Sequence, residues 1–343
     1  MKTLAVWYEV EGQENENTEE NKIGTEMHVN FLKLKKNKTY DYMLELGFMI
    51  DNITGISRMN IHFPFEVKKK DFEDVGSLLH DNNKLANSIF NEHYVTTPEA
   101  KHPKQISVKK NEKVEFTIYT IDFNNEETAE KNGDYTLIDQ YEGTLLSLNF
   151  NNISKKENAY IRFRLKISEW KDFIVNHNPS NWFLQSAFTT VESLDFRINE
   201  KRSYNNSLAE EISKGKEFEI KKIIFFLIRE AADDIVISSI PFSCREMEDV
   251  WSNYFKKDSK GKSYDLKNMI IYQLTRESDK DAIEHFNAFV KIKVRKCNWK
   301  TIVVYILVFL LLSIFSNYLH NNLPELLKNL IINVKQILPV YTK

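Results

Sequence analysis

The sequence predicts an α+β fold: a mainly antiparallel β domain with helices, followed by a C-terminal transmembrane helix and an amphipathic helix. Three observations predict it. Short segments of alternating polarity fill the first two hundred residues. An uncharged apolar run occupies Thr301 to Leu319. Beyond it, a second apolar pattern repeats at helical spacing.

The strand segments come first. Residues 27–36, 40–50, 59–68, 113–123, 144–150, 159–167 and 189–202 all show partial alternation, the period of a sheet with one apolar face. In the stretch YIRFRLKI, Arg162, Arg164 and Lys166 fall on one side and Ile161, Phe163, Leu165 and Ile167 on the other. Turn-like DNITG and NFNNIS join such segments. A sandwich or open barrel accommodates them. Asp71 to Glu92 reads as a helix, with a shorter one near Trp170 to Val175. The Asn- and Glu-rich stretches 11–22 and 124–134 read as solvated loops.

After Asn205 the pattern changes, which places a domain boundary between 1–205 and 206–297. SLAEEISKG reads as a helix capped by Ser207 and stopped by Gly215. FEIKKIIFFLI reads as a buried strand or a strand-to-helix transition, CREMEDVWSNYFKK as an amphipathic helix, and 279–296 as a helix or strand leading to the membrane.

The tail divides in two. Nineteen uncharged residues rising ~1.5 Å each cover roughly 28 Å, close to the ~30 Å hydrocarbon core. Trp299 and Tyr318 stand at the ends of this run, where aromatic rings favour the interface. The span is assigned to 298–319. A break at His320-Asn321-Asn322 is expected next, then an amphipathic helix over 322–340. There Leu323, Leu326, Leu327, Leu330, Ile331, Val334, Ile337 and Leu338 form one stripe, and Pro339 marks the stop. That helix has three open fates: flat in the interface, packed in an oligomer, or re-entrant. Lys291, Lys293, Arg295, Lys296 and Lys300 precede the span, so the positive-inside rule places the N-terminal part in the cytosol.

Composition excludes several classes. With 47 basic and 49 acidic residues, net charge is −2, so no bulk field draws nucleic acid. Cys244 and Cys297 are too few for a disulfide framework. The N-terminus lacks the apolar core of a signal peptide. Phosphate-loop, dinucleotide, zinc-helix and nucleophile-elbow motifs are absent, so no enzyme activity, cofactor or metal is expected.

Two kinds of candidate site remain. Lys68, Lys69 and Lys70 form the densest cation cluster, joined by Lys101, Lys104, Lys109 and Lys110, with Lys33, Lys35 and Lys36 as another group. Such runs are usually solvated faces. As a binding surface they would take a nucleotide or nucleic-acid signal, with Phe63, Phe65 or Tyr94 stacking on bases and Arg162 and Arg164 forming a phosphate fork. In the span, Ser313, Ser316 and Asn317 share one face and would line a lumen or bond between helices. A nuclease reading needs two carboxylates and a lysine. Glu66-Val67-Lys68 or Glu219-Ile220-Lys221, with Asp51 or Asp195, would supply them, but the Glu-x-Lys triplet is common in this chain.

The layout of residues 291–340, a basic run, one span and an amphipathic stripe, resembles the membrane effectors of bacterial anti-phage defence systems. The resemblance is one of architecture and carries no residue from 1–290. It implies a homo-oligomer in the inner membrane, responding to a signal or companion defence protein and permeabilising or depolarising the lipid bilayer. The rival expectations are a tail-anchored binding or scaffold protein and a membrane-tethered nuclease.

Overall fold

The computed structural model describes residues 2–10, 22–36, 39–79, 83–99, 102–123, 133–150, 158–166, 170, 173–177, 188–255, 264–278, 281–295 and 299–337. Most of the loops expected at 11–22 and 124–134, together with Lys101, Lys296, Cys297 and Pro339, lie outside the described residues.

In chain order the elements are β1 (Ala5–Val10), β2 (Gly24–Lys36), β3 (Thr39–Ile50), β4 (Ile56–Phe63), β5 (Phe72–Asp74), α1 (Asn83–Phe90), β6 (Val95–Glu99), β7 (His102–Lys110), β8 (Lys113–Tyr119), β9 (Tyr135–Gln140) and β10 (Gly143–Asn149). There follow β11 (Ala159–Lys166), β12 (Ile174–His177), β13 (Thr189–Ile198), α2 (Asn206–Lys214), β14 (Glu219–Glu230), β15 (Asp234–Ser238), β16 (Phe242–Glu246), α3 (Trp251–Tyr254), β17 (Met269–Glu277), β18 (Phe286–Arg295) and α4 (Trp299–Ile337). The α+β expectation is met.

Three sheets carry the fold. The largest runs β16-β17-β14-β2-β3-β11-β8-β7-β6, with β5 pairing β11. The four-stranded sheets are β1-β4-β10-β9 and β12-β13-β18-β15. Strand parity explains the layering. Met27, Val29 and Phe31 of β2 and Ile161, Phe163 and Leu165 of β11 enter one core, shared with residues from both smaller sheets. Leu32, Leu34 and Tyr160 face the other way, into a second core covered by α1 and α3. A third cluster places α2 on Trp7 and Leu145. The central strands are therefore buried on both faces, and alternation in β11 does not mark a wet side.

Several expectations need correction. Strand β14 lies parallel to β2 and antiparallel to β17, so no boundary falls at 205. By contacts, one unit comprises Met1–His177 and Val191–Val294, the other Asn178–Thr190 and Arg295–Lys343. The helix expected over 71–92 is confined to α1, because Phe72–Asp74 pairs with β11. Near Trp170, Ile174–His177 is a strand against β13. The segment from Cys244 splits into β16 and the single turn α3. Helix α2 is capped by Asn205, whose Oδ1 accepts from Leu208 N at 2.8 Å, and not by Ser207.

The break expected at 320–322 does not occur. Helix α4 is continuous for 39 residues with Pro324 inside it. A helical proline lacks the N–H that would bond the carbonyl four residues back. Two residues earlier, the Asn322 side chain donates to Tyr318 O at 2.8 Å and adds a local bond.

Candidate functional site

The alternation in β11 delivers Arg162 and Arg164 to one face as expected, but that face is closed. They are 1% and 2% exposed. Arg164 pairs in register with Glu45 of β3. Arg162 Nη2 donates to Glu45 Oε2 at 2.7 Å and Arg164 Nε to Oε1 at 2.8 Å. Arg164 Nη2 sits 2.7 Å from Oε1 as an ion contact without hydrogen-bond alignment. Tyr254 of α3 covers the group, accepting from Arg162 Nε at 3.0 Å and donating to Glu45 at 3.1 Å. Asn30 Nδ2 adds a bond at 2.9 Å. Burial opposes the charge on Glu45, yet Arg164 and Arg162 outweigh it and hold its carboxyl below the usual range. The phosphate fork is thus filled by an internal carboxylate.

The network continues to a cleft. Arg162 Nη1 donates to the Tyr160 hydroxyl at 2.9 Å, leaving that proton for His28 Nδ1 at 3.1 Å. A Cβ on Gly47 would sit 2.4 Å from the Tyr160 oxygen, so only glycine leaves room for it. His28 is pushed down to about 3 by burial, then by Arg162 and Lys222, and is neutral at physiological pH. It lines a cleft of about 610 Å³ on the sheet face. Walls come from β2, β3, β14 and β17, from Phe90 and Tyr94 beside α1, and from Phe116 of β8. Phe116 lies 4.9 Å from the ring of Phe90 and 5.5 Å from that of Tyr94. Asn91, in the left-handed region at φ 54°, ends α1 and turns the chain along the rim. A bulge at Ile220/Lys222 sends Lys222 into this cleft. Glu26, Asp51, Glu92 and Glu115 face Lys222 and Arg245 across it, an excess of carboxylate that disfavours a phosphate ligand.

Beside it, a cleft of about 440 Å³ gathers Lys22, Lys216 and Lys221 with Asp51 and Glu219. Lys221 Nζ lies 2.6 Å from Asp51 Oδ2. Of the nuclease candidates, Asp51, Glu219 and Lys221 therefore converge. Glu66 instead pairs with Lys68 at 3.0 Å, and Asp195 with Arg197 at 2.6 Å. No group of three or more His, Cys, Asp or Glu suited to a metal occurs among the described residues.

The lysine groups are largely engaged. Besides Lys68, Lys110 pairs with Glu92 at 2.7 Å, Lys35 with Glu230 at 3.7 Å, and buried Lys33 with Glu192 at 2.6 Å. Lys69 is half-buried and Lys70 exposed. Phe63 and Phe65 belong to the core and offer no stacking face; Tyr94 lines the larger cleft.

Helix α4 is the third feature. Ile302–Asn333 contains an eighteen-residue window of mean hydropathy 2.4, none of which is buried. Trp299, Ser313, Ser316, Asn317 and Tyr318 are all exposed. In the same unit, Phe188 stacks on Tyr305 with centroids 5.6 Å apart. Among the described residues α4 alone is long and apolar enough to cross a membrane.

The chain matches no protein-family model and no curated protein. Fold and helix together fit a class: a three-sheet β domain anchored by a single pass.

Proposed function

We propose that this protein is a membrane effector of bacterial defence. Its cytosolic β domain receives a signal or companion protein, and its assembled C-terminal helices permeabilise or depolarise the inner membrane. The observation that carries this reading is the length of α4. Its 39 residues rise roughly 58 Å, about twice the hydrocarbon thickness. A tether needs only the first half. The five cations from Lys291 to Lys300 favour a cytosolic domain and contact with anionic headgroups. One helix encloses no pore, so several copies act together. The larger cleft, with its carboxylates and aromatic wall, suits a basic or neutral group of a companion protein. The lysine-lined cleft suits a nucleotide.

The test is potassium efflux from liposomes carrying the full chain. Efflux is expected above a threshold protein-to-lipid ratio, and replacing residues 301–319 with an unrelated apolar helix abolishes it. Efficient insertion with no efflux at any ratio, with or without candidate ligands, refutes the proposal. Full activity after the helix swap favours a passive tether.

A second reading, a membrane-tethered nuclease, draws on the meeting of Asp51, Glu219 and Lys221 in one cleft. Magnesium-dependent DNA degradation that disappears in Glu219→Ala supports it. Its absence from the unaltered chain removes it.

A further inference from the structure

Because α4 does not break, residues that the sequence pattern assigned to two helices share one phase. At 3.6 residues per turn each step rotates about 100°. Ser313, Asn317, His320, Asn321 and Lys328 then fall within an arc of about 100°, interrupted by Pro324 and Ile331, with Ser316 on one flank and Glu325 on the other. Phe315, Leu319 and Leu330 occupy the opposite side, which farther along also carries Asn329 and Asn333. The described members of this polar stripe are exposed. Asn322, which bonds back onto its own helix, lies off it.

We infer that this stripe is the seam along which parallel copies of α4 associate, the partner being a second copy of this chain. The inference rests on the membrane-spanning reading of α4. With Trp299 at one interface, Asn317 lies roughly 27 Å along the helix, still within the hydrocarbon core. A carboxamide there needs both a donor and an acceptor. An Asn317 at the same depth on another copy supplies both. Equal depth requires parallel helices, which a single orientation of insertion imposes. Farther along, Glu325 stands at one edge of the stripe and Lys328 inside it, so each copy brings both signs of charge to the seam. At the depth of the hydrocarbon core, the side carrying Phe315 and Leu319 is left to lipid.

Cysteine cross-linking in the full chain tests this. With Cys244 and Cys297 replaced by serine, Ser313→Cys is compared with Leu319→Cys in vesicles under mild oxidant. Dimers are expected at Ser313→Cys, and adding Asn317→Leu lowers their yield roughly tenfold. Cross-linking chiefly at Leu319→Cys, equal yield at both positions, or none at either overturns the seam. The readout is independent of leakage. Cross-links at Ser313→Cys without efflux sink the permeabilising function and keep the seam. Efflux with cross-links confined to Leu319→Cys does the reverse.

Discussion

Glu45→Gln isolates the charge at the centre of the buried network. The substitution keeps size and shape, so no cavity forms. It removes the carboxylate that Arg162 and Arg164 share, whose side chains are nearly inaccessible; among the described residues Arg164 keeps only the half-exposed Glu73 at 3.4 Å and Arg162 keeps no carboxylate. Removing one partner of a buried ion pair costs about 3–5 kcal/mol, because the other charge is left without compensation. At ~2.1 cal/mol/K per residue, a domain ending at Arg295 unfolds with an entropy of roughly 0.6 kcal/mol/K. The midpoint therefore drops roughly 5–8 °C. Tryptophan fluorescence of the detergent-solubilised full chain reads it, since Trp251 and Trp170 are buried. The pH dependence has a sign. A carboxyl held low when folded stabilises above its unfolded value, about 4.3, and that contribution is lost as pH falls through the folded value. The gap between wild type and Glu45→Gln must therefore narrow below about pH 4.3. A drop under 2 °C at neutral pH, or a gap that widens in acid, refutes the argument.

Two further substitutions probe neighbouring parts. His28 titrates near 6.5 when unfolded and at about 3 when folded, so the unfolded chain binds the extra proton and stability falls with acid between those values. Urea denaturation of wild type should lose roughly 1.6 kcal/mol between pH 6.5 and 5 that His28→Leu does not lose. Gly47→Ala forces a methyl against the Tyr160 hydroxyl and should cost about 1–3 kcal/mol, read as a lower urea midpoint with an unchanged slope.

What could be read from the sequence follows from how local each determinant is. β2, β3 and β11 were legible because polar and apolar residues partly alternate along them, and β14 because its continuous apolar run is too short to cross a membrane. The role of Arg162 and Arg164 was not, because alternation assigns a face but not what covers it. Their partner had a faint signal: Glu45 is a lone acid within YMLELGFMI, a run otherwise too apolar for one wet side. The larger cleft had none, since its walls come from six separate strands and the end of α1. The boundary at 205 failed because a change of local pattern says nothing about a strand pairing with one nearly two hundred residues earlier. The expected break in α4 failed because proline and asparagine were read as punctuation, while the apolar residues around them continue at helical spacing.

That distant pairing also orders events in time. Phe225 of β14 lies beside Val29 of β2, 196 positions earlier. Until β14 is made, β2 has only one neighbour in the sheet, and Met27, Val29 and Phe31 lack part of their cover. Closing so long a loop is slow, and such topologies fold in milliseconds to seconds. Meanwhile a thirteen-residue strand presents an open edge to other nascent chains. A fragment ending at residue 205 would keep that edge for good and should aggregate on expression, whereas one ending at Arg295 should stay dispersed in sizing chromatography. The first half of this chain is thus held in suspense by the second, and a chaperone that shields β2 would govern its yield.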